Sequence, residues 1–229
     1  MTNDADLPPE AELRAFAVKD CGLIAIATGR KVLTLKELHD ALENVTAASI
    51  YYHFWGGLLQ PRFEEREYHN DFAAWSAYAL HDAVLAERLA VIDPTVYIDL
   101  QGLRQELIAV LEARIEEDEE RAWRPAMRQF ELIRAQIVVF NTGRSFERPP
   151  QLAAHIPKMS TGSIFYHFID ARRRLPEGND FSAWLSALDA GYDDLARQLI
   201  GIDPFFSSLS ELRDRVTAVM AARFREEAA

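Results

Sequence analysis

The chain has 229 residues, 36 Asp and Glu against 25 Lys and Arg, and a formal net charge of −11. That balance argues against nucleic acid and anionic membranes as partners, because counterion release needs clustered basic side chains. One cysteine rules out an intramolecular disulfide, no apolar run reaches the roughly 18 residues of a bilayer span, and the opening "MTNDADLPPE" is unlike a leader peptide, so a cytoplasmic setting is expected.

In chain order, Phe16 to Ala27 is a short apolar run stopped by Thr28-Gly29-Arg30. Its pattern suits one buried helix or a strand with a helical turn. Cys21 within it reads as a core thiol, since no base is recognisable beside it. Thr34 is placed to cap a helix through Val45 with Leu35, Leu38, Leu42 and Val45 on one stripe. Asn70 or Asp71 starts a long helix predicted to reach Ile92, where Asp93-Pro94 ends it. A further helix is expected over about 101–123, its acidic run Glu116 to Glu120 forming a solvated face or end.

The second half repeats this order. "SIYYHFW" at 49–55 returns as "SIFYHFI" at 163–169, 114 positions on, and Thr28-Gly29-Arg30 returns as Thr142-Gly143-Arg144 at the same offset. "NDFAAW" (70–75) returns as "NDFSAW" (179–184), and "LAERLAVIDP" (85–94) as "LARQLIGIDP" (195–204). The shift in offset gives the first half five more residues ahead of Asn70. Phe130 to Asn141 matches the first apolar run, Pro149-Pro150 and Pro157 imply a shorter helix there, and a last helix is expected over about 208–225.

The fold class expected from these patterns is mainly α: an internally duplicated helical protein. Two similar modules, 10–116 and 124–229, would pack about a pseudo-twofold axis, with short strands near 16–27 and 130–141 as the minor alternative. Gly29 and Gly143 suit a left-handed cap or tight turn.

The candidate site centres on the recurrent heptapeptides. On a helix, Ser49, Tyr52 and His53 share one side, as do Ser163, Tyr166 and His167. Either these histidines and tyrosines make fixed hydrogen bonds inside a packed joint, to the Asn-Asp helix start or a Thr-Gly-Arg carbonyl, or each half presents a Tyr-His pair to a cleft with Arg30 or Arg144 as an anion partner. His39, His69, His81 and His155 have no matched histidine, no metal-ligand spacing occurs, and no cofactor fingerprint is present. Asp71 and Asp180 read as helix caps, Trp75 and Trp184 as core, and Trp55 as a flank to a pocket or partner surface.

The combination Ser-Ile-aromatic-Tyr-His, Asn-Asp-Phe-x-x-Trp and Ile-Asp-Pro, with Thr-Gly-Arg upstream, resembles an uncharacterised bacterial and archaeal domain-of-unknown-function family, once per half. The resemblance brings no activity with it. No reaction is legible in the residues. The leading expectation is a non-enzymatic helical interaction or regulatory protein with a protein partner or self-association. The alternative is a protein binding a small anionic metabolite, or an enzyme, at Tyr52, His53, Arg30, Tyr166, His167 and Arg144.

Overall fold

The computed structural model describes residues 15–60, 67–175, 178–205 and 208–226. The N-terminal decapeptide and six residues (61–66) of the longer connection before Asn70 lie outside the described residues. The first strand, β1, is Phe16–Val32. Helices α1 (Leu35–Asn44), α2 (Ala47–Trp55), α3 (Asp71–Tyr78), α4 (Ala83–Ala90), α5 (Leu100–Glu117) and the one-turn α6 (Glu119–Ala122) follow. Strand β2 is Phe130–Phe146. After it come α7 (Pro149–His155), α8 (Thr161–Ile164) running into a π-helical turn at Phe165–Ile169, α9 (Asp180–Leu188), α10 (Asp193–Ile200) and α11 (Leu209–Glu226).

The expectation of a mainly α protein is therefore corrected. The fold is mixed α/β with high helical content, and its two strands are 17 residues each and antiparallel. They form one two-stranded sheet. The Thr-Gly-Arg triplets, read as stops, lie inside the strands. Gly29 and Gly143 adopt φ of 77° and 74°, a left-handed conformation that glycine tolerates without ending the strand. The Thr28 hydroxyl donates to Leu132 O and the Thr142 hydroxyl to Val18 O, each at 2.6 Å. In both pairs the residue numbers add to 160, as a single antiparallel register requires.

The expected pair of helical modules about a twofold axis gives way to two compact mixed units. One comprises residues up to Gly22 together with Val139–Ala229, the other Leu23–Val138. Each takes part of both strands, because a two-stranded ribbon needs helices against it to be stable.

In the unit of residues 23–138, α1 begins at Thr34 as expected. Thr34 Oγ1 accepts from Glu37 N at 3.1 Å, and the Glu37 carboxylate accepts from Thr34 N, a reciprocal capping box. Leu35, Leu38 and Leu42 are buried beneath it, with Leu103, Leu107 and Leu111 of α5 also in the core. The long helix expected over 70–92 is broken. Leu80 and His81 interrupt it, His81 at φ 54°, and Asp82 caps α4 by accepting from Leu85 N at 3.1 Å. Trp55, expected at a pocket or surface, is buried. In the other unit, Pro149 opens α7 at its first turn, where a missing N–H is harmless. That helix is seven residues against ten in α1. Phe165, Phe168, Phe181, Leu185 and Leu199 are fully buried there.

Candidate functional site

The Asn-Asp dipeptides set the geometry. Asn70 and Asn179 take the cap positions, accepting from Ala73 N at 2.8 Å and Ser182 N at 3.0 Å. The following aspartates, read from sequence as caps, are thereby freed to turn sideways. Asp71 Oδ2 lies 3.0 Å from His53 Nδ1, and Asp180 Oδ2 lies 2.8 Å from His167 Nδ1.

The other face of each imidazole meets a strand. Ile133 N donates to His53 Nε2 at 3.2 Å, and Lys19 N donates to His167 Nε2 at 2.9 Å. A backbone amide can only donate, so each Nε2 carries a lone pair and the ring proton sits on Nδ1, facing the carboxylate. Both histidines are therefore locked as one tautomer with both nitrogens occupied. Both are also buried, and aromatic neighbours wedge them. His53 sits 4.7 Å from the Phe130 ring and His167 sits 4.8 Å from the Phe16 ring, centroid to centroid.

Ser49, one helical turn before His53, completes the first arrangement by donating to Ile133 O at 2.6 Å. Residues at i and i+4 share a helix face, so α2 satisfies both the N–H and the C=O of one strand residue. It supplies for Ile133 what a neighbouring strand would otherwise supply. In the second heptapeptide the histidine arm is kept. Ser163 is buried, but no bond from its hydroxyl to the strand occurs among the described residues. There α8 comes close enough that a Cβ on Gly162 would sit 2.5 Å from Cys21 O.

The two expected arginines do not join these pairs. Arg30 donates to Ala41 O at 3.5 Å. Arg144 lies near His155, whose basicity is reduced first by burial and then by that arginine and Lys158. No hydrogen bond links Arg30 to Tyr52 or His53, or Arg144 to Tyr166 or His167, among the described residues. The tyrosines do stay with their histidines, at ring separations of 5.2 Å for Tyr52 and 5.0 Å for Tyr166. Tyr52 Oη accepts from Gln60 at 3.1 Å.

Around Tyr166 the cation is instead Arg174, whose guanidinium lies 4.2 Å from the ring centroid. Arg174 also bonds Asp170 at 3.0 Å and Asp180 at 2.8 Å. Tyr166, Arg174 and Asp180, with Lys19, His167 and Trp184, line an open groove of about 280 Å³. The histidines do bond the Asn-Asp helix starts, through Asp71 and Asp180, while Lys19 and Arg174 were not anticipated from the sequence. For Asp71 and Asp180 the signal was the Asn-Asp order shared by both halves, in which asparagine alone suffices as the cap. Among the described residues no three His, Cys, Asp or Glu side chains gather as a metal-ligand set.

A family model described as a family of unknown function (DUF5752) matches residues 13–221. The chain belongs to that family. It is also similar to a solved structure, OrfY from Thermoproteus tenax, at 25% identity and a TM-score of 0.79, covering 91% of this chain and 94% of that one. No curated protein matches the chain. In this DUF5752 chain Cys21 is buried and its Sγ lies 3.4 Å from Gly162 O. Burial first, then the charges of Asp170 and Asp20, push its thiol up to about 12. The thiolate is the reactive form, so native protein at mildly alkaline pH should resist iodoacetamide while denatured protein labels fully. Rapid stoichiometric labelling of the native chain would contradict this placement.

Proposed function

We propose that the chain is a non-catalytic interaction module that associates with a second copy of itself through an open strand edge. The supporting observation lies in the unit containing 139–229. Residues 139–145 of β2 are exposed along their whole length, including Val139 at 42% and Phe140 at 52%. The β1 segment they pair with carries Phe16 and Val18 in the core. A long exposed strand with apolar side chains and unpaired backbone groups is a template for strand addition.

The histidines favour this reading over proton-transfer chemistry. Their nitrogens are engaged by a carboxylate and a backbone amide, leaving no lone pair to abstract a proton. A small anionic ligand beside Tyr166 is the second reading, supported by the groove and by Lys19. It ranks second because Arg174 is already held by two carboxylates. No helix among the described residues is long and apolar enough to cross a membrane. The single buried cysteine fits a reducing compartment such as the cytoplasm.

Sedimentation velocity over a concentration series tests the proposal. The chain should self-associate, and more strongly as salt screens the repulsion between copies each carrying −11. Phe140→Lys puts a charge on the edge and should weaken association about ten-fold or more with unchanged circular dichroism. A strict monomer at all concentrations, or unaltered association of the variant, would count against it.

A further inference from the structure

The break between α3 and α4 creates a feature that neither reading uses. Leu80 N bonds Trp75 O at 3.1 Å and Asp82 N bonds Ser76 O at 2.9 Å, while Met127 N bonds Ala79 O at 2.8 Å. These bonds hold His81 between them in a left-handed conformation, φ 54°. A non-glycine residue kept there is uncommon, and such outliers concentrate at ligand sites. His81 opens onto a cavity of about 190 Å³ lined by Leu35, Leu80, Asp82, Arg121 and Arg124.

The charges of this cavity are unusual for so acidic a chain. Asp82, at its base, is 3% exposed and already neutralised. Its carboxylate accepts from Arg114 Nε at 2.8 Å and from Leu85 N at 3.1 Å, with Arg121 Nη1 3.8 Å away. Arg121 also bonds Asp118 at 3.1 Å. Arg124 is different. It is exposed, and its guanidinium forms no hydrogen bond or ion pair with the described residues. His81 Nε2 lies 2.8 Å from Met127 Sδ, and its Nδ1 has no partner among the described residues. The cavity thus offers one guanidinium without an ion pair, Arg124, a second, Arg121, that shares its charge with Asp118 and Asp82, and an imidazole, above a carboxylate whose charge is met from behind.

We propose that this cavity binds a tetrahedral oxyanion, a phosphate ion or the head of a small phosphate monoester, between His81, Arg121 and Arg124. Its volume equals that of about six liquid waters at about 30 Å³ each, enough for such a head with little else. Forked guanidinium donors match oxyanions geometrically. The cavity lies wholly within the unit of residues 23–138 and does not depend on the strand-edge proposal.

The test is calorimetric titration of the full chain in Tris buffer with inorganic phosphate, sulfate, glycerol 3-phosphate and malonate. Phosphate and sulfate should bind one per chain. Tighter binding of glycerol 3-phosphate than of phosphate would support an ester head, and equal or weaker binding would support the free ion. Arg124→Ala should lose about ten-fold or more in affinity with a melting temperature close to the parent's, because that side chain makes no hydrogen bond or ion pair with the described residues and feels Asp118 only at longer range. Arg148→Ala, also exposed, should bind as the parent does. Absence of saturable phosphate heat, unaltered affinity in Arg124→Ala, or binding of malonate in preference to the tetrahedral ions would overturn the assignment.

Discussion

Replacing His53 with alanine should destabilise the chain by about 3–4 kcal/mol, and His167→Ala should do nearly the same. Three losses combine. The amide of Ile133, or of Lys19, loses its acceptor, and an unpaired buried donor costs about 1–3 kcal/mol. The aspartate loses its Nδ1–H donor. The ring also leaves a cavity among Phe130 and Phe72, or Phe16 and Phe181, and truncations of this kind carry a further cavity term. Domains commonly hold about 5–15 kcal/mol in total, so either variant removes a large share. Asp71→Ala should cost less, about 1 kcal/mol, because that carboxylate is 29% exposed and water replaces part of what it offers. The double variant should fall short of the sum of the singles, since both act through one ring. Denaturant unfolding measures all four variants. Two histidine variants as stable as the parent would leave the clamp without energetic weight.

Asp82→Ala is the second large expected effect, at about 3–5 kcal/mol. Asp82 is a buried carboxylate that does two jobs. It caps α4 through Leu85 N, and such caps are worth roughly 0.5–2 kcal/mol. It also faces Arg114, whose side chain is only 12% exposed. The bond to Asp82 is the first reason Arg114 holds its proton more firmly than usual. Removing one member of a buried pair leaves the other charge uncompensated, the costly case. Asp82→Asn keeps an oxygen for the cap and should lose about half as much. Comparison of the two variants by urea unfolding separates cap from charge. A loss under about 1 kcal/mol for Asp82→Ala would show that Glu117, which bonds Arg114 at 3.0 Å, suffices alone.

The helical part of this fold was legible where a cap and a stripe coincided. Thr34 with Glu37, and Asn70 and Asn179 before aromatic runs, are local signals that tertiary context did not override. The strands were legible only as short alternatives. Half of each strand is exposed, so the alternation of Phe16 and Val18 fades into mixed polarity after Cys21, and the internal glycines looked like stops. The period-two pattern depends on one face being buried, and here that holds for only part of each strand. The break at His81 was hidden because Phe72, Trp75, Leu85 and Leu89 keep helical spacing across it. Nothing local marks a left-handed histidine.

The site was half legible. The histidine recurring in the two near-identical heptapeptides is the ring that bonds an aspartate and a strand amide each time, and its tyrosine neighbours lie beside it. Its partners come from 13 to 148 residues away in sequence, which no local spacing encodes. Arg30 and Arg144 recur for a reason connected to the strands. They follow the left-handed glycines, and their amides donate to Thr28 and Thr142 hydroxyls. Recurrence here marks a backbone requirement, and the arginine side chains point elsewhere.

Long-range ¹H–¹⁵N spectra of the histidine rings near neutral pH test the twin clamps most directly. For both His53 and His167 the expected pattern is a protonated Nδ1 and a pyridine-like Nε2, with slow hydrogen exchange at the Ile133 and Lys19 amides. An Nε2–H tautomer at either ring, or freely exchanging amides at those two strand positions, would contradict the account.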